Sequence, residues 1–168
     1  MFKRKAFISY FRNFIFGVED SVVSTVGLLS GIAVAGVPRE TILLTGVILI
    51  FVEAFSMAAG SFLAEESAEE YTSHVDTTKK SSIVSGAVMF VSYFVSGFIP
   101  LFAYLVWPVG TALIVSIGFS LATLLALGFA SARIAKVHVM KSVVRMVATG
   151  GAAIAVGAVA GFLLSSLS

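Results

Sequence analysis

Five stretches of this sequence are long and apolar enough to cross a lipid bilayer. They cover residues 14–37, 41–64, 82–106, 109–130 and 144–164. Each has about 21–25 residues, which at about 1.5 Å per residue of helix spans a hydrocarbon core of about 30 Å. Lipid offers no hydrogen-bond partners to an exposed backbone, so each stretch is predicted to be a transmembrane helix.

The composition agrees with a membrane protein. Of the 168 residues, 58% are hydrophobic and 12% are charged, whereas a soluble domain has about 45–50% apolar and about 25% charged residues. We therefore predict an all-α integral membrane protein in which residues 1–168 form a single transmembrane domain. The chain has no cysteine, which excludes disulfides and thiolate metal sites. Its basic residues adjoin the spans, so the lipid membrane is an expected partner and nucleic acid is not.

The basic residues are distributed unequally between the two sides of the predicted bundle. If the five spans alternate in direction, ten of the eleven Lys and Arg residues fall on one side. These are Lys3, Arg4, Lys5, Arg12, Lys79, Lys80, Arg133, Lys136, Lys141 and Arg145. Only Arg39 falls on the other side. Cytoplasmic segments are enriched in Lys and Arg, so we predict a cytoplasmic N-terminus and a C-terminus outside.

The connections between the spans differ in length and charge. Residues 37–40 and 107–108 are so few that spans one and two, and spans three and four, are predicted to form tight antiparallel hairpins. Residues 65–81 form a short acidic link, which is predicted to be cytoplasmic and to begin as a continuation of the second helix. Arg12, Glu19 and Asp20 interrupt the first apolar run. The segment before the first span is therefore interpreted as a retained basic lead-in and not as a signal peptide.

Carboxylates inside the membrane mark the candidate site. An ionised acid costs roughly 2.5–3.5 kcal/mol at the centre of a transmembrane helix, and such residues are candidates for function. Asp20 is spaced so that it shares one helical face with Ser24, Gly27 and Gly31. The two glycines allow another backbone to approach closely. Asp20 is therefore predicted to face a packing partner and not lipid.

A second stripe lies on the second span. Glu53 and Met57 share a face there with Leu49 and Gly60. Asp20 and Met57 each lie about 10 Å from the inner end of their spans, and Glu53 is one turn deeper. In antiparallel neighbours, Asp20, Glu53 and Met57 are predicted to line one polar column that opens towards the cytoplasm.

Carboxylate and thioether ligands together suit a borderline divalent cation. Oxygen ligands alone favour Mg²⁺ or Ca²⁺, and sulfur shifts the preference towards transition metals. Fe²⁺ is the predicted substrate, with Mn²⁺ or Co²⁺ as alternatives, and no tightly bound cofactor is expected. When the metal leaves, protonated carboxylates are the cheaper state in lipid. This chemistry predicts proton-coupled exchange.

The interior acids and Met57 could also have purely structural roles. An intramembrane acid can serve as a hydrogen-bonding group between helices, and a single methionine such as Met57 is commonly core filler. Glu19 is a further candidate metal ligand beside Asp20, but it is equally compatible with a place in the interfacial zone.

The acidic link carries a second group of candidate metal ligands. Glu66, Glu70 and His74 recur every four residues, so they share one face of a helix. Such a face would collect cations at the mouth of a pore. The alternative is that this charged segment is the solvent-exposed end of the second helix and binds no metal. The basic residues between spans four and five are interpreted as anchors for anionic headgroups.

Two motifs resemble those of a known transporter family. Residues 17–25, GVEDSVVST, lead to Gly31 and are similar to the first-span motif of the vacuolar iron transporter/CCC1-like family. Residues 56–60, SMAAG, are similar to its second-span motif. The five spans, the cytoplasmic N-terminus and the charged link after span two also match.

The resemblance implies a parallel homodimer with a pore between the subunits, lined by spans one and two. It also implies export of Fe²⁺ from the cytosol in exchange for protons. Asp20 and Met57 match the pore aspartate and methionine of the family. We expect a multi-pass protein of the cell membrane of a prokaryote.

The sequence departs from the family pattern at several positions. Leu49 stands where the family has its second-span glutamate, and Glu53 lies one turn later on the same face. Ser21 and Ser61 stand where the family commonly has glycine and glutamate. Members with a cytoplasmic metal-binding domain carry it between spans two and three, and residues 65–81 are too few to form it.

Two other functions are compatible with the same residues. A non-transporting membrane scaffold or accessory subunit would use the acids for structural hydrogen bonds. A pore for a small organic cation would use them as counter-charges. An enzyme is not expected, because the sequence shows no nucleophile–base pair and no compact metal-ligand motif.

Overall fold

A computed structural model of the protein describes residues 2–73 and 80–166. Within these ranges the chain forms five α-helices, and each contains a segment long and apolar enough to cross a membrane. The helices are α1 Phe2–Val34, α2 Arg39–Ser73, α3 Lys80–Val106, α4 Val109–Ala135 and α5 Val139–Ser165. The predicted all-α fold with five candidate spans is therefore confirmed.

The helices are longer than the predicted spans. α1 begins at Phe2, so the basic lead-in is part of the first helix, and α5 begins at Val139 instead of near residue 144. α2 continues to Ser73, as predicted for the start of the acidic link. Apolarity delimits the predicted spans, whereas a helix satisfies its own backbone hydrogen bonds and continues through charged residues at its ends.

The short loops make consecutive helices antiparallel and define two ends of the bundle. The end that holds the start of α1, the end of α2 and the start of α3 is called the N-terminal end. Ser9, Glu65 and Ser85 of these three helices meet there through hydrogen bonds. The end that holds the α1–α2 and α3–α4 connections is called the loop end.

α1 and α3 form the centre of the bundle. α1 packs mainly against α3 and α5 and also contacts α4 and α2. About half of the spanning segments of α1 and α3 is buried, and much less of those of α2 and α5. A buried apolar cluster joins α1, α2, α3 and α4 at the loop end. It contains Leu29, Ile42, Ile50, Leu101, Ala103, Tyr104 and Ala112.

Glycines bring α1 and α5 into backbone contact. A Cβ atom at Gly31 would lie 2.6 Å from the carbonyl oxygen of Gly157, and one at Gly161 would collide with the carbonyl oxygen of Gly31. The same holds for Gly157 against the carbonyl oxygen of Gly27. The prediction that Gly27 and Gly31 admit another backbone is confirmed, and that backbone belongs to α5.

The connection between α1 and α2 is anchored to α3. Gly36 adopts a left-handed conformation with φ of 75°, and its N–H donates to the carbonyl of Ala33 at 3.1 Å. Arg39 then donates through Nε to the carbonyl oxygen of Tyr104 at 2.6 Å and through Nη2 to that of Leu105. These carbonyls end α3 and lack helical partners, so a cation is favoured there. Arg39, the one basic residue at the loop end within the described ranges, therefore caps a helix.

α1 and α2, which the short loop between them predicts to be close neighbours, pack against each other less than expected. α2 packs on α3 far more than on α1, because small residues of α3 admit it closely. A Cβ atom at Gly97 would lie 2.7 Å from Cγ1 of Ile50, and one at Gly86 would lie 3.0 Å from the carbonyl oxygen of Ala58. α1 and α2 therefore contact each other less than each of them contacts α3, although Ser9 and Glu65 join them at the N-terminal end.

Candidate functional site

Asp20 of α1 and Glu53 of α2 lie near each other inside the bundle. Both side chains are half-buried, and their carboxylates are close enough for their charges to interact. Both also act electrostatically on the buried phenol of Tyr93 in α3. Three helices therefore contribute to one polar cluster, in which we call Asp20 and Glu53 the acid pair.

Two serines of α1 hold that helix in register with α3 beside the acids. Ser21 Oγ donates to the carbonyl oxygen of Tyr93 at 2.6 Å. Ser24 Oγ and the phenolic oxygen of Tyr93 share a hydrogen bond of 2.8 Å. A buried tyrosine hydroxyl needs such a partner. Ser21 is the next residue after Asp20, and Ser24 follows Asp20 by one helical turn. Their hydrogen bonds to Tyr93 therefore fix the position of Asp20 along the axis of α3.

A close approach of three helices positions Glu53. A Cβ atom at Gly97 of α3 would lie 2.9 Å from Ser21 Oγ of α1 as well as 2.7 Å from Cγ1 of Ile50 in α2. Glu53 follows Ile50 by about one helical turn towards the N-terminal end. The absence of a side chain at Gly97 therefore lets α2 come near enough for Glu53 to reach the cluster.

Met57 lies one turn from Glu53, on the side of the N-terminal end. It lines a cavity of about 290 Å³ between α1, α2 and α3. Asn13 and Phe16 of α1 and Met89 of α3 also line this space, which we call the N-terminal cavity. Asp20, Glu53 and Met57 thus follow one another along the junction of α1 and α2.

Glu19 lies apart from this group. It is half-buried and lines a different groove, between α1 and the adjoining ends of α4 and α5, together with Arg12 and Arg145. Adjacent residues of a helix point about 100° apart, which separates Glu19 from Asp20. The structure therefore does not bring Glu19 to the acid pair.

The candidate ligands of the acidic link are only partly described. Glu66 is half-buried and Glu70 is exposed on the extension of α2, and His74 lies outside the described residues. Among the described residues, no three or more His, Asp or Glu side chains gather in a way that could hold a metal ion. Metal binding by Glu66, Glu70 and His74 stays a prediction.

Glu65 has a role that the sequence pattern does not indicate. Its Oε2 accepts a hydrogen bond of 2.7 Å from Ser9 Oγ. The same oxygen lies 3.9 Å from Nη2 of Arg12. These contacts join α1 and α2 at the edge of the N-terminal cavity. Their partners are more than 50 residues apart in the chain, so local periodicity could not reveal them.

Tyr93 is also absent from the residues that the sequence singles out. One feature could have identified it. Ser92 and Ser96 are its neighbours in an otherwise apolar span, and tyrosine in the middle of a span needs a hydrogen-bond partner. The partner could not be named, because the pairing of α3 with α1 depends on tertiary packing.

The arrangement can hold a cation or protons in the interior. Ionised carboxylates inside a membrane are costly, and two of them near each other also repel. A bound divalent cation removes that penalty, and so does protonation. The acid pair is therefore suited to alternate between these two states.

Comparison with known proteins agrees with the two sequence motifs. The VIT family model matches residues 11–80 and 68–162, and the two matched segments overlap at the link between α2 and α3. No curated protein sequence matches the chain significantly. VIT family members are membrane transporters of metal ions and not enzymes, in agreement with the five apolar helices and the interior acids. On the evidence of a match that runs through all five helices, this chain belongs to the VIT family.

Proposed function

We propose that the protein exports a divalent transition metal from the cytosol in exchange for protons. Fe²⁺ is the proposed cargo, with Mn²⁺ and Co²⁺ as alternatives. The observation that carries the proposal is that Asp20 and Glu53, two half-buried carboxylates on different helices, lie close enough for their charges to interact. Interior acids are costly, and a cargo that neutralises them in turn with protons explains why they are there.

Family membership and sulfur chemistry favour a transition metal over other cations. The VIT family match supports a metal ion in place of a small organic cation. Met57 adjoins Glu53 on α2, and its thioether favours borderline or soft metals over Mg²⁺ and Ca²⁺. Asp20, Glu53 and Met57 are the proposed ligands.

A homodimer would complete the coordination of the metal. Divalent ions in proteins take about four to six ligands, and the described part of one chain brings two carboxylates together. A second copy related by a two-fold axis would supply the same groups again. We therefore propose a parallel homodimer with the pore between its subunits, lined by α1 and α2.

The N-terminal end of the bundle is proposed to face the cytoplasm. Described cations at this end include Arg12, Arg133 and Arg145, whereas Arg39 at the loop end caps α3. This asymmetry is typical of a cytoplasmic face. Glu66 and Glu70 would then lie at the cytoplasmic entrance. The cell membrane of a prokaryote is the proposed location.

Flux measurements test this proposal. Purified protein in liposomes should move Fe²⁺ under a proton gradient, with anaerobic conditions and a fluorescent reporter of metal. Asp20→Asn and Glu53→Gln should each lower the rate by about tenfold, which corresponds to ~1.4 kcal/mol in the barrier. Glu40→Gln is the matched control, because Glu40 is exposed at the loop end of α2.

Two outcomes would contradict the proposal. Wild-type protein that carries no transition metal under a proton gradient is not a proton-coupled exporter. If Asp20→Asn lowers thermal stability without changing flux, the acid has a structural role and the scaffold hypothesis is favoured.

A further inference from the structure

A groove with basic walls lies at the N-terminal end of the bundle, where α4 connects to α5. Lys141, Ser142 and Arg145 of α5 line it, together with His138 and Val137 of the connection. Its described lining includes no carboxylate. Its volume of about 490 Å³ is within the range of about 300–1,000 Å³ that is usual for sites of small organic ligands. We call it the basic groove.

An apolar groove of about 400 Å³ adjoins the basic groove. It is the groove that Glu19 lines, and it shares Val137, Ser142 and Arg145 with the basic groove. Its wall on α1 is formed largely by apolar side chains, which are Ile8, Phe11, Ile15 and Phe16. Cationic and apolar surfaces thus lie side by side, as the phosphate and the hydrocarbon chains of a phospholipid require.

The basic residues of α5 are placed as they would be at a membrane–water interface. Lys141 and Arg145 are one turn apart on one face of the helix and about 6 Å apart along its axis. One headgroup layer of a bilayer is about 5–8 Å thick. Met140 is 71% exposed and Val144 is 57% exposed on the same turns. Exposed apolar and basic side chains together are typical of the interface, where the charged ends reach the headgroups.

The cations of the basic groove have no protein counter-charge. The one ion pair in the described part of the chain joins Arg12 to Glu65, so Lys141 and Arg145 form none there. α5 also begins at Val139 without an acidic residue in its first turn and without a side-chain cap, which favours an anion near its first N–H groups. Glu19 opposes an anion, but it lines only the apolar groove.

We propose that the two grooves together bind one anionic phospholipid. Lys141 and Arg145 hold its phosphate, and its acyl chains cover the apolar wall on α1. A soluble phosphate would leave that wall uncovered, whereas a lipid buries it. Anionic lipids are abundant in the cytoplasmic leaflet, and the assignment to that leaflet rests on the orientation given under the proposed function. The binding itself does not depend on transport.

Thermal unfolding in a neutral detergent can test for the bound lipid. The unfolding temperature is measured against the concentration of phosphatidylglycerol, or of phosphatidylcholine with the same acyl chains. A lipid that binds the folded protein stabilises it in proportion to the logarithm of 1 + [lipid]/Kd, so phosphatidylglycerol should raise the unfolding temperature more. Arg145→Gln and Lys141→Gln should each raise the Kd of phosphatidylglycerol about fivefold, which corresponds to ~1 kcal/mol for each basic residue.

Arg133→Gln is the matched control. Arg133 is exposed at the same end of the bundle, stacks on the ring of Phe129 and lies outside the lining of both grooves. Its replacement removes the same charge and should leave the Kd unchanged. If Arg145→Gln does not fold, Lys141→Gln gives the same test, because Lys141 is exposed.

The outcomes separate a lipid site from general attraction and from the proposed function. Equal stabilisation by the two lipids, or an equal rise in Kd in Arg133→Gln and Arg145→Gln, would overturn the site. Inorganic phosphate that stabilises the protein as much as phosphatidylglycerol at equal concentration would also overturn it, in favour of a soluble anion. Selective lipid binding by a protein that moves no metal would uphold the site and remove the transport proposal. Metal flux without lipid selectivity would do the reverse.

Discussion

The interior acids owe their position to neighbours that carry no charge. Ser21 and Ser24 fasten α1 to Tyr93, and the bare backbone of Gly97 leaves room for α2 beside them. The position of Asp20 relative to Glu53 along the helix axes therefore depends on these hydrogen bonds and on close packing against α3. Periodicity in the sequence predicts the inward face of both acids, and it predicts neither Tyr93 nor the role of Gly97.

Removal of the Tyr93 hydroxyl should destabilise the bundle. In Tyr93→Phe, Ser24 loses its bond of 2.8 Å and keeps only a longer one of 3.3 Å to the carbonyl oxygen of Ser21. We expect the free energy of unfolding to fall by about 1 kcal/mol. Denaturant unfolding of the purified protein in detergent would measure this change.

Tyr104→Phe is the matched control for that change. Tyr104 is as fully buried as Tyr93, but its hydroxyl reaches the carbonyl oxygen of Leu29 at 3.4 Å. Removal of the Tyr104 hydroxyl should therefore lower the free energy of unfolding by less than removal of the Tyr93 hydroxyl. If Tyr104→Phe lowers the free energy of unfolding as much as Tyr93→Phe or more, the hydrogen bond between Ser24 and Tyr93 does not contribute the expected stability.

At the scale of helices, contact between glycine faces determines the neighbours of α1. Gly27 and Gly31 meet Gly157 and Gly161, so α1 and α5 approach backbone to backbone. α2, although it follows α1 directly, lies mainly on α3. Chain order therefore does not decide which helices pack most closely, and the N-terminal cavity lies between α1, α2 and α3.

A methyl group in the α1–α5 contact should separate the two helices. In Gly157→Ala the new Cβ atom would collide with the carbonyl oxygen of Gly27, which is backbone and cannot move aside cheaply. We expect a loss of about 1–3 kcal/mol in the free energy of unfolding. Gly151→Ala is the control on the same helix, because a Cβ atom there meets nothing within 4 Å. Equal thermal stability of the two variants would contradict the proposed contact.

At the scale of the whole molecule, the bundle has a well-buried centre and an exposed periphery. α1 and α3 bury about half of their spans, whereas α2 and α5 expose most of theirs. Exposed apolar side chains on α2 include Ile48, Val52 and Phe55, and within the membrane such a surface contacts either lipid or another subunit. The pore proposal requires that a second copy lies near α1 and α2.

The homodimer can be tested by mass and by cross-linking. Light scattering corrected for detergent should give twice the mass of the 17.6 kDa chain. Asp20→Cys should form an intersubunit disulfide, because the proposed two-fold axis passes near this position and no other cysteine competes. Val156→Cys, 70% exposed on α5, is the control and should cross-link poorly. A monomeric mass, or equal cross-linking of both variants, would contradict the dimer pore.

The sequence by itself determined the class of protein and the five helices, and it singled out Asp20 and Glu53 as candidate site residues. These features depend on the apolar length needed to cross lipid and on the period of the helix, and both are local properties. Tertiary structure alone decided that α1 packs on α5, that Tyr93 joins the acids and that a cavity forms between Asn13, Ser61 and Met89. Such contacts join residues far apart in the chain, and their formation depends on which faces fit together.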